Sequence, residues 1–239
     1  MSSAADTLRT LHERRPLVLP NVWDAASART FADAGFPALA TSSGALVNAL
    51  GYEDHEQAPV EEVLSAIARI TRSVDVPVTA DFEAGYGLAP TEIVERLVDA
   101  GAAGCNLEDT DHTAGALRPA SEQAEWLGTV VDLAAGRLVV NARVDTYLGG
   151  SRQDDDAIDR ATAYLAAGVD CTYPIGFLDE ATTSRLVEAI PGPVNVLSFP
   201  NGPTPARLGE LGAARITFGS SLFKAVLASL AERAAELRL

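Results

Sequence analysis

Eight short apolar runs, each followed by a stretch with helical spacing, leave this chain few ways to fold. The runs are Leu17 to Leu19, Ala38 to Thr41, Val78 to Asp81, Gly104 to Leu107, Leu138 to Ala142, Asp170 to Tyr173, Val194 to Leu197 and Arg215 to Phe218. The helix-like stretches are Asp24 to Ala34, Val60 to Ser73, Thr91 to Ala100, Ser121 to Ala135, Asp154 to Ala167, Asp179 to Ala189, Thr204 to Leu211 and Ser221 to Leu237. Val60, Val63, Leu64, Ile67, Ala68 and Thr71 show the i, i+3, i+4 repeat of an amphipathic helix. Boundaries are signalled by Pro90-Thr91 followed by Glu92 at one start, and by Gly35, Gly101 and Gly168 beyond three apolar faces.

The runs are continuous rather than alternating, as strands are when both faces of a parallel sheet are covered. Eight strand-then-helix units in about 220 residues predict an α/β fold, a single (β/α)8 TIM-type barrel spanning residues 1–239 as one domain. An open doubly wound sheet is the competing architecture, and it would bind its ligand where the strand order reverses. Thirty-three Asp plus Glu against eighteen Lys plus Arg give a formal charge of -15, a field that repels phosphate backbones and anionic lipid. Neither nucleic acid nor membrane is expected as a partner. No 18-residue uncharged apolar run occurs, and the start Met-Ser-Ser-Ala-Ala-Asp lacks a basic secretion-type beginning, so a cytoplasmic protein is expected. Cys105 and Cys171 form no Cys-x-x-Cys spacing and read as buried thiols.

A barrel carries its active site at the C-terminal ends of its strands, and polar residues concentrate there. The third run ends in Asp81-Phe-Glu83-Ala-Gly-Tyr-Gly87, the fourth in Glu108-Asp109, and the fifth in Asn141-Ala-Arg143-Val-Asp145. Asp81 and Glu83 are two apart and share a face in extended backbone. Adding Glu108 from the neighbouring strand gathers three carboxylates, whose repulsion calls for a cation or bound protons. Hard oxygen ligands suit Mg2+, with Mn2+ as a substitute. Single acids at strand ends also cap helices or pair with arginines, and that structural role is the alternative for each taken alone.

The fixed donor fork of Arg143 matches a carboxylate or an enolate oxygen, with Asp145 as its orienting partner; a purely structural pairing with Glu108 or Asp145 is the other reading. Thr41-Ser-Ser43-Gly44-Ala45 offers hydroxyls and backbone N–H groups to an anion. Gly85-Tyr86-Gly87 lacks a dinucleotide or phosphate-loop spacing and reads as an active-site turn. Of the three histidines, His12 and His55 read as surface groups, while His112, four residues beyond Glu108, is placed to move protons.

Taken together, Asn21-Val-Trp-Asp-Ala, Thr41-Ser-Ser-Gly, Gly51-Tyr-Glu-Asp54, Asp81-Phe-Glu-Ala-Gly-Tyr-Gly, Asn106-Leu-Glu-Asp109 and Ala142-Arg-Val-Asp145 resemble the isocitrate lyase and phosphoenolpyruvate mutase superfamily, from about Pro16 to Phe223. The resemblance implies a modified barrel, a homo-oligomer that often exchanges a helix between subunits, and Mg2+-dependent chemistry on small oxo or hydroxy carboxylates. It implies Asp81 as principal metal ligand, Glu83 and Glu108 assisting through water, Ser43 and Gly44 on the substrate carboxylate, Asp54 lining the site, and Arg143 on the oxo or enolate oxygen.

Members that cleave isocitrate-like substrates carry Lys-x-Cys-Gly-His after the fourth strand, where this chain has Asp109-Thr-Asp-His-Thr-Ala-Gly-Ala-Leu117, without lysine or cysteine. The lysine and asparagine of the phosphonate mutases' loop are also missing. Tyr173-Pro-Ile-Gly176 offers little to a further carboxylate, and Asn195 is a candidate substrate contact. A Mg2+-dependent lyase or mutase-like enzyme is therefore expected, breaking a carbon–carbon or carbon–phosphorus bond of a compact oxo acid through an enolate, with oxaloacetate decarboxylation favoured. A non-catalytic protein that binds metal and oxo acid, and a barrel holding phosphate at Gly219-Ser220-Ser221, are the alternatives.

Overall fold

The computed structural model describes residues 3–14, 16–148 and 154–238. Its strands are β1 (Leu17–Val18), β2 (Asn21–Val22), β3 (Leu39–Thr41), β4 (Val78–Asp81), β5 (Gly104–Glu108), β6 (Thr110–Asp111), β7 (Ala116–Leu117), β8 (Val139–Val144), β9 (Cys171–Pro174), β10 (Asn195–Leu197) and β11 (Arg215–Thr217). Its helices are α1 (Ala4–His12), α2 (Ala25–Asp33), α3 (Ser43–Leu50), α4 (Val60–Thr71), α5 (Pro90–Asp99), α6 (Ala120–Ala134), α7 (Asp154–Ala166), α8 (Glu180–Ala189), α9 (Pro205–Glu210) and α10 (Ser221–Glu236).

Parallel pairing runs β2-β3-β4-β5-β8-β9 in one sheet and β1-β11-β10 in another. Two seams join them into a ring. The first stave is interrupted at Leu19-Pro20, so β1 pairs with β11 while β2 pairs with β3. The second seam is the parallel bridge Thr172 to Val194, where the Thr172 N–H donates to the Pro193 carbonyl at 3.0 Å. Eight staves therefore close as a barrel, and the open doubly wound alternative falls away.

β5 and β8 are buried along their whole length yet alternate. Cys105, Leu107, Val140, Ala142 and Val144 belong to the hydrophobic core, while Asn106, Glu108, Asn141 and Arg143 take the other face, so burial on both faces does not require continuous apolar runs. The boundary signals act as the sequence implies: Glu92 reaches back to the Ala89 N–H at 3.1 Å, and Gly35, Gly101 and Gly168 adopt positive φ. Three features were not anticipated. α1 places Leu8 among Leu17, Leu19, Ala38, Ala40, Ala103 and Val139, near the start of the staves. Arg9 ties it to Asp170 and to the carbonyls of Gly136 and Leu138. The hydroxyl-bearing stretch Ser42–Ala45 is the start of α3, with Ser42 as its N-cap. The stretch after β5 forms the antiparallel pair β6–β7. Cys105 and Cys171 are buried and unbridged. No helix among the described residues is long and apolar enough to cross a membrane.

Candidate active site

Register brings the acids and the arginine together. Asp81 lies beside Asn106, and one inward-facing level further along Glu108 lies beside Arg143. Arg143 donates from Nε and Nη2 to the two oxygens of Asp145, at 2.6 and 2.9 Å, and its Nη1 sits 2.6 Å from Glu108 Oε2. Burial alone would depress this guanidinium; Asp145 and Glu108 overturn that and hold it well above its ordinary pKa. A guanidinium has five N–H donors, so donors remain on Nη1 and Nη2 for a substrate oxygen.

Asp145 is itself braced. It accepts from the Thr110 hydroxyl at 2.6 Å, and its N–H donates to Asp109 Oδ1 at 2.9 Å. Asp109, fully buried, also accepts from the Tyr164 hydroxyl at 2.7 Å and Arg160 Nη1 at 3.2 Å. Sequence reasoning did not find this layer; the spacing Asp156, Arg160, Tyr164 along one face of α7 was the available signal.

Ser43 donates its backbone N–H to Asp81 Oδ2 at 3.0 Å from the first turn of α3. Gly44 follows, and a Cβ there would lie 2.7 Å from Asp54 Oδ2, so glycine permits the approach of Asp54. The Ser42 and Ser220 hydroxyls, just beyond β3 and β11, meet at 3.0 Å. Ser43, Gly44, Asp54, Asp81 and Arg143 line one cavity of about 590 Å3, which Gly219, Ser220 and Ser221 also border. An adjoining cavity of about 480 Å3 is bounded by His55, Thr110, His112, Arg143 and Asp145.

His112 Nε2 lies 2.5 Å from Glu108 Oε1, a contact that raises the imidazole's pKa despite partial burial. Burial pushes Glu108 up to about 7, against the pull of Arg143 and His112. His55, expected at the surface away from the chemistry, stacks at a tilt 5.1 Å from His112 and borders both cavities.

Two expected placements are corrected. β4 ends at Asp81 and Glu83 has φ +48°, so the two-residue alternation does not carry over to it. Glu83 is buried, accepts the Tyr86 hydroxyl and the Glu56 N–H, and is pushed up to about 7 by burial. Asn195 opens β10 inside the barrel, fully buried with Oδ1 accepting from the Thr217 hydroxyl, and is not among the residues lining the cavity.

Among the described residues no three His, Cys, Asp or Glu converge as a ready metal cage. A partial site exists. Asp81 Oδ1 and Asp54 Oδ1 are enclosed without a hydrogen-bond partner, and burial together with the Asp54 charge raises Asp81 against the opposing pull of Arg143. Two partnerless carboxylate oxygens in a cavity fit a hard divalent cation that keeps much of its water.

A closed parallel barrel with acids and a braced guanidinium gathered at its mouth has the arrangement of a barrel enzyme. The chain belongs to the phosphoenolpyruvate phosphomutase family, whose model matches residues 8–238. It is similar to an oxaloacetate decarboxylase of Rhodopseudomonas palustris strain TIE-1, 33% identical over 80% of this chain and 67% of the relative. A Burkholderia cenocepacia J2315 crystal structure, provisionally described as a phosphonomutase, is 39% identical with a TM-score of 0.91, covering 98% of this chain and 100% of that one. Oxaloacetate acetylhydrolase in complex with oxalate superimposes with a TM-score of 0.89 at 26% identity, over 99% of this chain and 87% of that one. The chain is a lyase or mutase of the phosphoenolpyruvate mutase and isocitrate lyase superfamily.

Proposed function

We propose that the chain cleaves a carbon–carbon bond in a small 2-oxo acid through an enolate, with oxaloacetate decarboxylation as the reference reaction. One observation carries the reading: Arg143, fixed on two sides by carboxylates, borders the same cavity as the partnerless Asp81 Oδ1. Ser43 and Gly44 offer the start of α3 to the substrate's 1-carboxylate, where helix N–H groups favour an anion. Arg143 directs its remaining donors to the 2-oxo oxygen. As the C3–C4 bond breaks, carbon dioxide leaves and its bonding pair moves into the enolate, whose oxygen charge Arg143 stabilises. His112, held by Glu108, delivers the proton that C3 takes up to give pyruvate.

A divalent ion, Mg2+ with Mn2+ as substitute, would be held by Asp81, with Glu83 and Glu108 behind it through water and Asp54 alongside. When bound, it supplies Lewis-acid stabilisation of the same oxyanion. Pyruvate release with and without EDTA tests this. Metal-dependent release is expected, and a folded protein without metal-dependent turnover across a panel of oxo acids rejects it. Metal-dependent oxalate binding without turnover would instead indicate the binding-protein alternative.

The enzyme is further proposed to be a homo-oligomer. Val226, Leu227 and Leu230 on α10 are 53%, 42% and 62% exposed, an apolar face that a second copy would cover. Light scattering should return a mass above 25.0 kDa.

A further inference from the structure

The cavity has two unlike halves. β3, β4 and β8 supply its charged and hydroxylic side, joined by Ser220 and Ser221 after β11; across the ring, β9 and β10 lead into Ile175, Phe177, Leu197 and Phe199, with Phe218 beside them on the same cavity. Phe177 and Phe199 meet edge to face with centroids 5.0 Å apart. Their placement is built into the loops. A Cβ on Gly176 would lie 2.9 Å from Tyr147 Cβ, so glycine lets this loop sit close against Tyr147. A Cβ on Gly202 would lie 2.6 Å from Phe199 Cζ, so that ring rests on bare backbone. Phe177 is nonetheless 70% exposed, an apolar surface left open beside a charged site.

A cavity of about 590 Å3 exceeds what a four-carbon acid fills. A second carboxylate packed against the Phe177 and Phe199 rings would lose water that those rings do not replace, whereas a hydrocarbon group there would be favoured. Besides Arg143 and His55, Lys224 is the basic side chain among the described residues lining this cavity.

We infer that the aromatic half is a subsite for a hydrocarbon substituent, so that the preferred substrates are 2-oxo acids bearing an alkyl or aralkyl group at C3. This rests on the oxo-acid reading above and specifies its substrate class. For a C3-substituted oxaloacetate, the C3–C4 bond breaks, carbon dioxide departs, and C3 takes one proton. The product is the 2-oxo acid that keeps the substituent.

The test compares oxamate with N-benzyloxamate, an enolate-like anion without and with the hydrocarbon group, by calorimetry on the Mg2+-loaded full chain. Benzyl affinity about tenfold or more above oxamate is expected, falling to near parity in Phe177→Ser/Phe199→Ser. Equal affinities in the parent overturn the subsite and leave the oxo-acid reading standing. A preference that survives in a folded double variant overturns the assignment to these rings. Failure of both ligands to bind overturns the oxo-acid reading and the subsite with it. C3-benzyl oxaloacetate should likewise exceed oxaloacetate in kcat/KM.

Discussion

Arg143 and Arg215 are both buried inside one barrel, yet they live in opposite surroundings. Arg143 touches Glu108 and Asp145, and its charge is reinforced. Arg215 is fully buried; its Nη2 donates to Asn106 Oδ1 at 3.2 Å, while Nε and Nη1 have no hydrogen-bond partner. No ion pair to it is found among the described residues, and burial lowers its pKa. A charge paired on two sides can be aimed at an oxyanion. A charge left almost alone serves as bulk and as one donor to a neighbouring amide. Burial therefore does not mark a functional cation; the bracing around it does.

Arg143→Ala should produce the largest effect. Loss of its oxyanion contact is expected to slow pyruvate release by at least two powers of ten, about 3 kcal/mol of barrier. Glu108 and Asp145 would also be left buried without their cation, so the melting temperature should fall; breaking such a pair costs about 3–5 kcal/mol. Parent-like kinetics would remove Arg143 from the chemistry.

Tyr164→Phe comes next, because it takes one donor from Asp109 without emptying the core. Urea unfolding should show a loss of about 1–2 kcal/mol, accompanied by a kcat decrease of about threefold or more as Asp145 loosens behind Arg143. An unchanged kcat would separate this layer from catalysis.

Arg215→Met sharpens the contrast from the other side. An unbranched apolar side chain in place of a nearly partnerless charge should leave stability within about 1 kcal/mol of the parent. A loss beyond about 3 kcal/mol would mean that Arg215 is braced after all. The smallest effect belongs to Arg137, which holds Glu95 through two hydrogen bonds of 3.0 and 2.6 Å at the surface. That contact lowers the Glu95 pKa, so its contribution is present at neutral pH and fades as acid protonates the carboxylate in the fold. Glu95→Gln should lower the pH 7 melting temperature slightly, by about a degree or less, and leave the pH 3 value unchanged, so that the difference between them narrows.

The staves were legible because short runs rich in buried apolar residues recur between helix-like stretches, as Val139, Val140, Ala142 and Val144 do in β8. Asp81 and Arg143 were legible because the polar groups just after such runs stand at the barrel mouth. α3 was hidden: only Ser42 separates it from β3, and its residues Ser43 to Leu50 are largely small or apolar, without a polar face to reveal the turn. Glu83 was misplaced because a left-handed residue breaks the alternation that sequence spacing assumes. His55 was missed because its meeting with His112 joins segments far apart in sequence. The unlike halves of the cavity were equally invisible, since Phe177 and Phe199 acquire their shared role from two separate loops.

The split first stave carries one last implication, for how the molecule is made. Leu17 and Val18 find their hydrogen-bonding neighbours at Arg215 and Ile216, so the circle stays unsealed on the ribosome until nearly all of the described chain has emerged. Until then β1 waits with a bare edge, a surface to which another nascent copy could anneal. A truncation ending before Arg215 should accordingly collect as aggregate rather than persist as a smaller soluble barrel.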